Sequence, residues 1–377
     1  MYSLREVKCK KDLNRFIDFP FELYKDNVNW VPPLKADERI VLSKKKNPAF
    51  DHCRARYWLA IDPKNNTVGR IAGILHEKES KHKKLLRFGW IDFIEDIKVA
   101  ELLLQQVRNW GKDLCLKGMH GPLGFTDMDY EGMLVDGFDT PGTIATLYNY
   151  KYYPKYLELL GFKKSVDWLE VVGSVPYDDE KIIKRIERRA QMVESRFKYK
   201  SLYFKSKKEL KLHGQEVFKV LNEAYSRLFG FYQLTSKQIE FYIDQYFGFI
   251  QKDFVCAVVN EKNDIVGFAI TMPSLSRAFQ KAKGSLYPFG FIHILTNIKR
   301  SNTADMYLFG VLPEHQKYGV SSLLVRDLLR AFKNNGIKTA VSNQMLENNQ
   351  KILTQFNDFQ VNSRIHKRRR CYIISWD

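Results

Sequence analysis

The order of predicted elements is the same in the two halves of this 377-residue chain. In the first half, two apolar, β-rich runs flank the turn residues 63–66, and a strand and a helix follow. In the second half the same order recurs around a turn at 260–264. A recurring order of this kind indicates an internal duplication, so we expect two α/β domains. The predicted segments are the hairpins 57–75 and 254–272, the strands 88–93 and 306–311, and the helices 99–113 and 321–333.

A basic amphipathic segment joins the two halves. Residues 179–200 predict a helix with one apolar face among Lys and Arg. We therefore predict a first domain at 1–176, a connecting helix at 177–200 and a second domain at 201–377. Two interpretations of the basic face stay open, a solvated face at a domain junction and a contact with a polyanion. The apolar face comprises Ile182, Ile186, Ala190, Val193 and Phe197.

Positive charge is concentrated in three segments. The chain carries 61 Lys and Arg against 43 Asp and Glu, a formal net charge of +18, and a surplus of this size indicates an anionic partner. Residues 181–211 hold twelve Lys and Arg against three Glu, residues 275–300 hold five basic residues without an acid, and residues 364–370 hold five more. The basicity is therefore local, and the rest of the chain is nearly neutral.

Two of these basic segments allow more than one interpretation. The run 366–370 suits a phosphate, an acidic acceptor or a nucleic acid, and equally a basic edge strand that discourages aggregation. Residues 274–300 predict two amphipathic helices. Three interpretations stay open for them: packing in the core or as a lid, contact with an acceptor substrate, and contact with a membrane surface.

The cysteines and the N-terminus predict a soluble, cytoplasmic protein. The five cysteines stand far apart without a CxxC pair, which argues against a disulfide framework or a zinc ribbon, so we expect no metal. The N-terminal residues lack the apolar core of a signal peptide, and no run approaches 18 uninterrupted apolar residues. We therefore expect no transmembrane segment.

The segment most informative about chemistry follows the strand 306–311. Gln316-Lys317-Tyr318-Gly319-Val320-Ser321 leads directly into a predicted helix. Consecutive backbone N–H groups and a helix N-terminus then face one point, which favours a phosphate. A glycine at 319 lets the backbone approach a ligand closely.

These residues resemble the signature of the GNAT superfamily of acyl-CoA N-acyltransferases. The family has V-x-P-E-x followed by Q/R-x-x-G-x-G/A, and this chain has Val311-Leu312-Pro313-Glu314-His315 and then Gln316-x-x-Gly319-x-Ser321. A departure is Ser321, where the family prefers Gly or Ala. A looser match to the second family segment is Glu347-x-Asn349-x-x-Ile352, with Phe356 and Asp358-Phe359. The resemblance implies two GNAT-like domains, each a mixed, mostly antiparallel twisted sheet flanked by helices.

The resemblance also implies a site for acetyl-CoA or another acyl-CoA. The pyrophosphate would lie on the loop, main-chain atoms of Phe309 and Val311 would pair with the pantetheine arm, and Asn349 would contact the cofactor. Asp305 matches the place of the family's general base, and a solvated acid at the start of a strand is the alternative. Tyr307 and Tyr318 are candidates for the acid. The loop residues are Gln316, Lys317, Tyr318, Gly319, Val320, Ser321 and Ser322.

The first half resembles a degenerate copy of the same domain. Asn149-Tyr150 with Tyr153 and Leu160-Gly161-Phe162 resemble the second family segment, but Glu95-Asp96-Ile97-Lys98 stands in place of the phosphate loop. Carboxylates there would repel a pyrophosphate. We therefore expect one CoA site, in the second half.

Three functions follow from this pattern. The first is N-acyl transfer, in particular acetyl transfer, from acyl-CoA to an amine of an unidentified acceptor. The second is a Fem-type aminoacyl-tRNA-dependent transferase, which is also a tandem GNAT-like fold and which the positive charge would suit. The third is a non-catalytic module that binds a polyanion. Nucleic acid is possible as a partner but is not expected, because the phosphate loop suits a CoA user.

Overall fold

A computed structural model of the chain describes residues 1–349 and 360–376. The helices of the described residues are α1 Lys10–Leu23, α2 Lys35–Val41, α3 Glu77–Lys83, α4 Ile97–Asp113, α5 Tyr152–Leu159, α6 Glu180–Phe197, α7 Lys207–Leu212, α8 Gly214–Ala224, α9 Ser236–Tyr246, α10 Ser276–Ala282, α11 Gly290–Arg300 and α12 Ser321–Asn334. The strands are β1 Ser3–Glu6, β2 Cys53–Ile61, β3 Thr67–His76, β4 Leu85–Phe93, β5 Gly118–Gly121, β6 Met133–Asp136, β7 Lys163–Ser174, β8 Lys200–Leu202, β9 Val255–Val259, β10 Ile265–Pro273, β11 Thr303–Val311, β12 Thr339–Ser342, β13 Met345–Leu346 and β14 Val361–Ser375. Short 3₁₀ turns lie at Pro48–Asp51, Lys252–Phe254 and Pro313–Tyr318.

The chain forms two compact units that are discontinuous in sequence. Unit 1 comprises Met1–Trp168, Ser276–Ile294 and Lys367–Asp377, and unit 2 comprises Leu169–Leu275 and Leu295–His366. The linear domains predicted at 1–176 and 201–377 differ from these units, because strand pairing and helix packing place parts of each half in the unit of the other.

Unit 1 is built on a mixed, mostly antiparallel sheet. Its strands follow the order β1-β2-β3-β4-β5-β14, in which only β4 and β5 are parallel. The end of β14 completes this sheet, since Tyr372–Ser375 pair with Gly121–Gly118. One face carries α4, whose Leu103 and Val107 are fully buried, as their helical spacing predicts.

Unit 2 repeats this architecture. Its strands follow the order β8-β9-β10-β11-β12-β7, in which only β11 and β12 are parallel. The end of β7 pairs with β12, where Val172–Ser174 face Val341–Thr339. Helix α12 covers the sheet with Leu324, Leu328 and Phe332 fully buried. The predicted duplication and the mixed, mostly antiparallel fold are confirmed.

Each unit has a β-bulge in the first strand of its parallel pair. In unit 1 the register shifts so that Trp90 and Ile91 both lie opposite Ile71, and Trp90 has a φ of 43°. In unit 2 Leu308 pairs with Ile270 and Met306 with Thr271, which leaves Tyr307 as the extra residue. A bulge bends a strand and interrupts its ladder of hydrogen bonds, so β4 and β11 are bent at corresponding places.

The segment 177–200 contains the predicted amphipathic helix as α6, and this helix belongs to unit 2. The Asp179 side chain caps its start by accepting from the Ile182 N–H at 3.0 Å, and a left-handed Lys198 ends it. Its apolar face packs on α12, where Arg326 ion-pairs with Glu194 at 2.8 Å. Helix α6 therefore packs against α12 and supports it.

The basic run 366–370 has a structural role that neither sequence interpretation anticipated. Lys367 and Arg369 are each 1% exposed, and both donate to main-chain carbonyls of the loop 137–147. The two remaining arginines of the run ion-pair with Asp167. Buried cations need such partners, so these side chains hold unit 1 together and do not form an open phosphate site.

The segment 274–300 forms the two amphipathic helices that its pattern predicts, α10 and α11. Among the described residues, no helix has both the length and the apolar character needed to cross a membrane.

Candidate active site

The predicted phosphate loop joins β11 to α12. After Val311 the chain makes the 3₁₀ turn, passes Gly319 with a φ of 75° and enters the helix at Ser321. The N–H groups of Gly319 and Ser322 bond to the Gln316 and Gly319 carbonyls at 3.2 and 2.9 Å. A positive φ favours glycine, so the left-handed turn accounts for the glycine at this place.

The loop packs against α6 and against the residues that follow α6 in sequence. A Cβ at Gly319 would lie 3.3 Å from Val193 Cγ2. The Tyr318 ring packs on Phe197 with centroids 5.0 Å apart, and Tyr199 hydrogen-bonds His315 at 2.7 Å. Lys317 is exposed at the front. The loop is thus held as a rigid cradle at the start of a 14-residue helix, which suits an anion.

Strand β11 separates from β12 after the bulge. Their parallel pairing extends from Thr303–Thr339 to Met306–Ser342, whereas β11 remains paired with β10 as far as Val311. Among the described residues, β11 therefore has no strand partner on its second side from Tyr307 onward. An edge of this kind pairs with an extended ligand as though the ligand were a further strand.

Two side chains hold main-chain groups along this open edge. The Tyr225 hydroxyl, at the end of α8, accepts from the Phe309 N–H at 3.4 Å and donates to the Phe309 carbonyl at 3.3 Å. Gln316 donates to the Val311 carbonyl at 3.2 Å. Phe309 and Val311 thus lie where the resemblance predicts a ligand arm, and these bonds must yield to it.

Asp305 is a buried carboxylate at the foot of the same strand. It is 2% exposed, and burial raises its pKa to about 7, against hydrogen bonds from Ser274 and Tyr307 that lower it. The Tyr307 hydroxyl donates to Asp305 Oδ2 at 3.3 Å. The two predicted catalytic residues therefore lie together, and Asp305 titrates in the range that suits a general base. The alternative of a solvated acid at the start of a strand is wrong.

Sequence reasoning missed two residues of this cluster. Glu170 on β7 is fully buried, and its charge also raises the pKa of Asp305. His366 Nε2 lies 4.0 Å from Glu170 Oε2. Glu170 stands inside the run 168–172, which is otherwise apolar, and a lone acid in such a run is the signal that could have identified it.

The second family segment is described only in part. Asn349 lies in the turn after β13, where its N–H donates to the Leu346 carbonyl at 2.9 Å. The predicted helix at 349–356, with Ile352 and Phe356, lies otherwise outside the described residues, as does Asp358-Phe359. The contact of Asn349 with a cofactor stays a prediction.

The corresponding edge in unit 1 is filled by tyrosines. The Phe93 N–H donates to the Tyr153 hydroxyl at 3.0 Å, and the Tyr152 hydroxyl donates to the Phe93 carbonyl at 2.7 Å. In place of a glycine loop, the Asp96 side chain caps α4 by accepting from the Lys98 N–H at 2.9 Å. These contacts support the expectation that unit 1 has no CoA site.

One group of possible metal ligands lies elsewhere in unit 1. The ligand atoms of His52, Cys53 and His76 lie within 4.8 Å of one another. Burial, together with the nearby Arg87 guanidinium, lowers the pKa of His76 to about 3. A fixed cation beside the group opposes the binding of a second cation.

Known proteins match both the sequence and the fold. Residues 215–352 match the acetyltransferase (GNAT) family. The Escherichia coli (strain K12) protein named Protein YghO is 27% identical over 335 residues, which cover 88% of this chain and 84% of that protein. A Caulobacter vibrioides (strain NA1000 / CB15N) protein named bacterial ceramide synthase is 26% identical over 329 residues, with 83% and 81% covered.

Solved structures show the same fold along the whole chain. A tandem GNAT protein from the clavulanic acid biosynthesis pathway superposes with a TM-score of 0.57 at 9% identity, covering 100% of this chain and 98% of that one. A GCN5-related N-acetyltransferase from Sphaerobacter thermophilus gives 0.51 at 9% identity, with 99% and 95% covered.

Proposed function

Because this chain is a GNAT-superfamily acyltransferase of tandem fold, we propose that it transfers an acyl group from an acyl-CoA to the amine of a long-chain acceptor. The observation that carries the proposal is Asp305, a buried carboxylate with a pKa of about 7 on the strand that leads into the phosphate loop. A base and an anion cradle on one strand are what acyl transfer from a CoA thioester to an amine requires.

Each part of unit 2 has a separate task in this reaction. The loop 316–322 and the start of α12 bind the pyrophosphate, and the open edge of β11 aligns the pantetheine arm with its thioester toward the bulge. The acceptor nitrogen then attacks the thioester carbon, so that a C–N bond forms and the C–S bond breaks. Asp305 takes the proton that the nitrogen loses. The departing thiolate takes one proton, for which the candidate donor is Tyr307, whose hydroxyl lies 3.3 Å from Asp305 Oδ2.

The acceptor class rests on a relative and not on the geometry of the site. The Caulobacter relative aligned over 83% of this chain is named a ceramide synthase, and a ceramide is a long-chain amino alcohol acylated on nitrogen. A short acyl group such as acetyl and a long acyl group are both compatible with the open edge, because the edge binds the arm of CoA and not its acyl chain.

The proposal is tested by measuring the release of free CoA thiol from acetyl-CoA and from palmitoyl-CoA. Each is offered with a long-chain amino alcohol and with short-chain amines. We expect turnover with the long-chain amine and a loss of about 10²-fold or more in Asp305→Asn, which is typical for removal of a general base. Asp253→Asn is the matched control, since Asp253 is an exposed acid of the same unit.

Turnover confined to short-chain amines would overturn the acceptor class and leave acyl transfer intact. Absence of turnover with every acyl-CoA, together with amino-acid transfer from an aminoacyl-tRNA, would replace the proposal with a Fem-type transferase. Binding of tRNA without any transfer would indicate a non-catalytic module, and its affinity would then fall steeply with salt.

A further inference from the structure

The exposed apolar side chains of the chain are unusually concentrated between α10 and the middle of α11. Twelve large hydrophobic side chains are exposed among the described residues, and five of them lie between residues 287 and 295. Tyr287 and Phe289 are 82% and 68% exposed, and Phe291 and Ile292 are 43% and 46% exposed. Scattered exposed hydrophobics are ordinary, but a contiguous group of aromatics marks an interaction surface.

Helix α10 anchors this group to unit 1. Its Ala278, Phe279 and Ala282 are buried, and the Gln280 amide donates to the Val28 and Trp30 carbonyls at 2.7 and 3.1 Å. The Gly284 carbonyl accepts from the Lys35 N–H at 2.9 Å. The apolar face of α10 is thus already packed against unit 1. This anchoring leaves the aromatic side chains that follow α10 exposed to solvent.

The start of the same segment is basic. Arg277, Lys281 and Lys283 are exposed, and residues 276–294 contain no Asp or Glu. Val28 adds a further apolar side chain, 80% exposed, on the loop that Gln280 holds. Exposed aromatics beside uncompensated Lys and Arg match an anionic bilayer, whose interface takes up aromatic rings and attracts basic side chains.

We propose that Val28 and residues 277–292, termed here the aromatic-basic patch, dock unit 1 on an anionic lipid bilayer. The occupant is a lipid surface and not a protein groove partner, because the charge of the patch has one sign only. Docking of this kind would bring a long-chain amine to the enzyme. The patch does not depend on the proposed acyl transfer, since vesicle binding is measured without substrate.

The test is co-sedimentation of the full-length protein with vesicles. We compare phosphatidylcholine vesicles that contain about one-third phosphatidylglycerol with phosphatidylcholine alone, and expect binding to the anionic vesicles that weakens with salt. Phe289→Ser with Phe291→Ser should weaken this binding about tenfold. Lys281→Gln with Lys283→Gln should weaken it about fivefold for each charge removed, for anionic vesicles only.

Leu212→Ser is the control, because Leu212 is 72% exposed but lies on α7 in unit 2. Vesicle binding by this variant should equal that of the unmodified protein. Circular dichroism verifies that each variant is folded. Absence of binding by the unmodified protein, or equal binding by the Phe variant, would refute the proposal. A dimer in solution that the Phe variant dissociates, without vesicle binding, would reassign the patch to self-association.

Discussion

Replacing Asp305 with Asn tests both the burial and the role of this carboxylate, because the two effects depend on pH in different ways. The pKa of Asp305 is about 7 in the fold and 3.8 as its ordinary value. Between these two values the unfolded chain has released the proton that the folded protein keeps. Stability therefore falls as the pH rises through this window, and it is level above it.

The size of the effect follows from the two pKa values. Relative to a group with an unshifted pKa, Asp305 costs about 4 kcal/mol at pH 8 but only about 2 kcal/mol at pH 5. Asn carries no charge at either pH, and its amide oxygen can still accept from the Ser274 and Tyr307 hydroxyls. The stability of Asp305→Asn relative to the unmodified protein should therefore rise by about 2 kcal/mol from pH 5 to pH 8.

The assay is urea unfolding at four values between pH 5 and pH 8. Circular dichroism and hydrogen exchange of unit 2 peptides are the suitable probes, because all six tryptophans fall within unit 1. Glu38, which also has a pKa of about 7, titrates in both proteins and cancels. A stability difference that stays constant with pH would refute the raised pKa. Unchanged turnover across this range, with the pH effect on stability present, would remove Asp305 from the reaction but leave its burial intact.

Three further changes probe the rest of the site. Gly319→Val should weaken acyl-CoA binding about tenfold or more in calorimetry and cost about 1–2 kcal/mol of stability, whereas Gly336→Val, with a similar φ of 69° and open space around it, should cost similar stability but leave binding unchanged. Equal loss of binding in both variants would refute the phosphate loop. Tyr225→Phe should tighten acyl-CoA binding by about two- to tenfold, since one net hydrogen bond no longer competes for Phe309; unchanged affinity would place the arm elsewhere. Glu170→Gln should shift the pH midpoint of turnover toward acid, because its charge raises the pKa of Asp305, and an unmoved midpoint would show that the two groups are uncoupled during turnover.

Local patterns in the sequence predicted the repeated core of both units. The turns at 63–66 and 260–264 and the helices α4 and α12 depend on residues close in sequence, so alternation and helical spacing were sufficient. The pairing of β14 with β5 and of β7 with β12 depends on contacts more than 150 residues apart, about which local pattern says nothing. The buried role of the run 366–370 follows from that pairing and was missed for the same reason.

Burial accounts for what was missed in the site itself. The family resemblance points to Asp305 through its place before the loop, but its raised pKa comes from packing that no spacing encodes. Glu170 comes from β7 in the first half of the chain, and only the completed sheet of unit 2 brings it near a residue on β11. The bulge at Tyr307 likewise arises from a register between β10 and β11 that each strand alone would not specify.

The difference between the two copies comes from what bonds to the bulged strand. In unit 1 the Phe93 main chain is held by two hydroxyls at 2.7 and 3.0 Å, and Tyr153 is fully buried with its ring stacked on Phe93 at 4.1 Å. In unit 2 the Phe309 main chain is held by one half-buried hydroxyl at 3.3 and 3.4 Å. Releasing the first pair would leave buried polar groups without partners, which is costly, whereas water or a ligand can replace the second at small cost. The same duplicated strand can therefore open to a ligand in unit 2 and stays closed in unit 1.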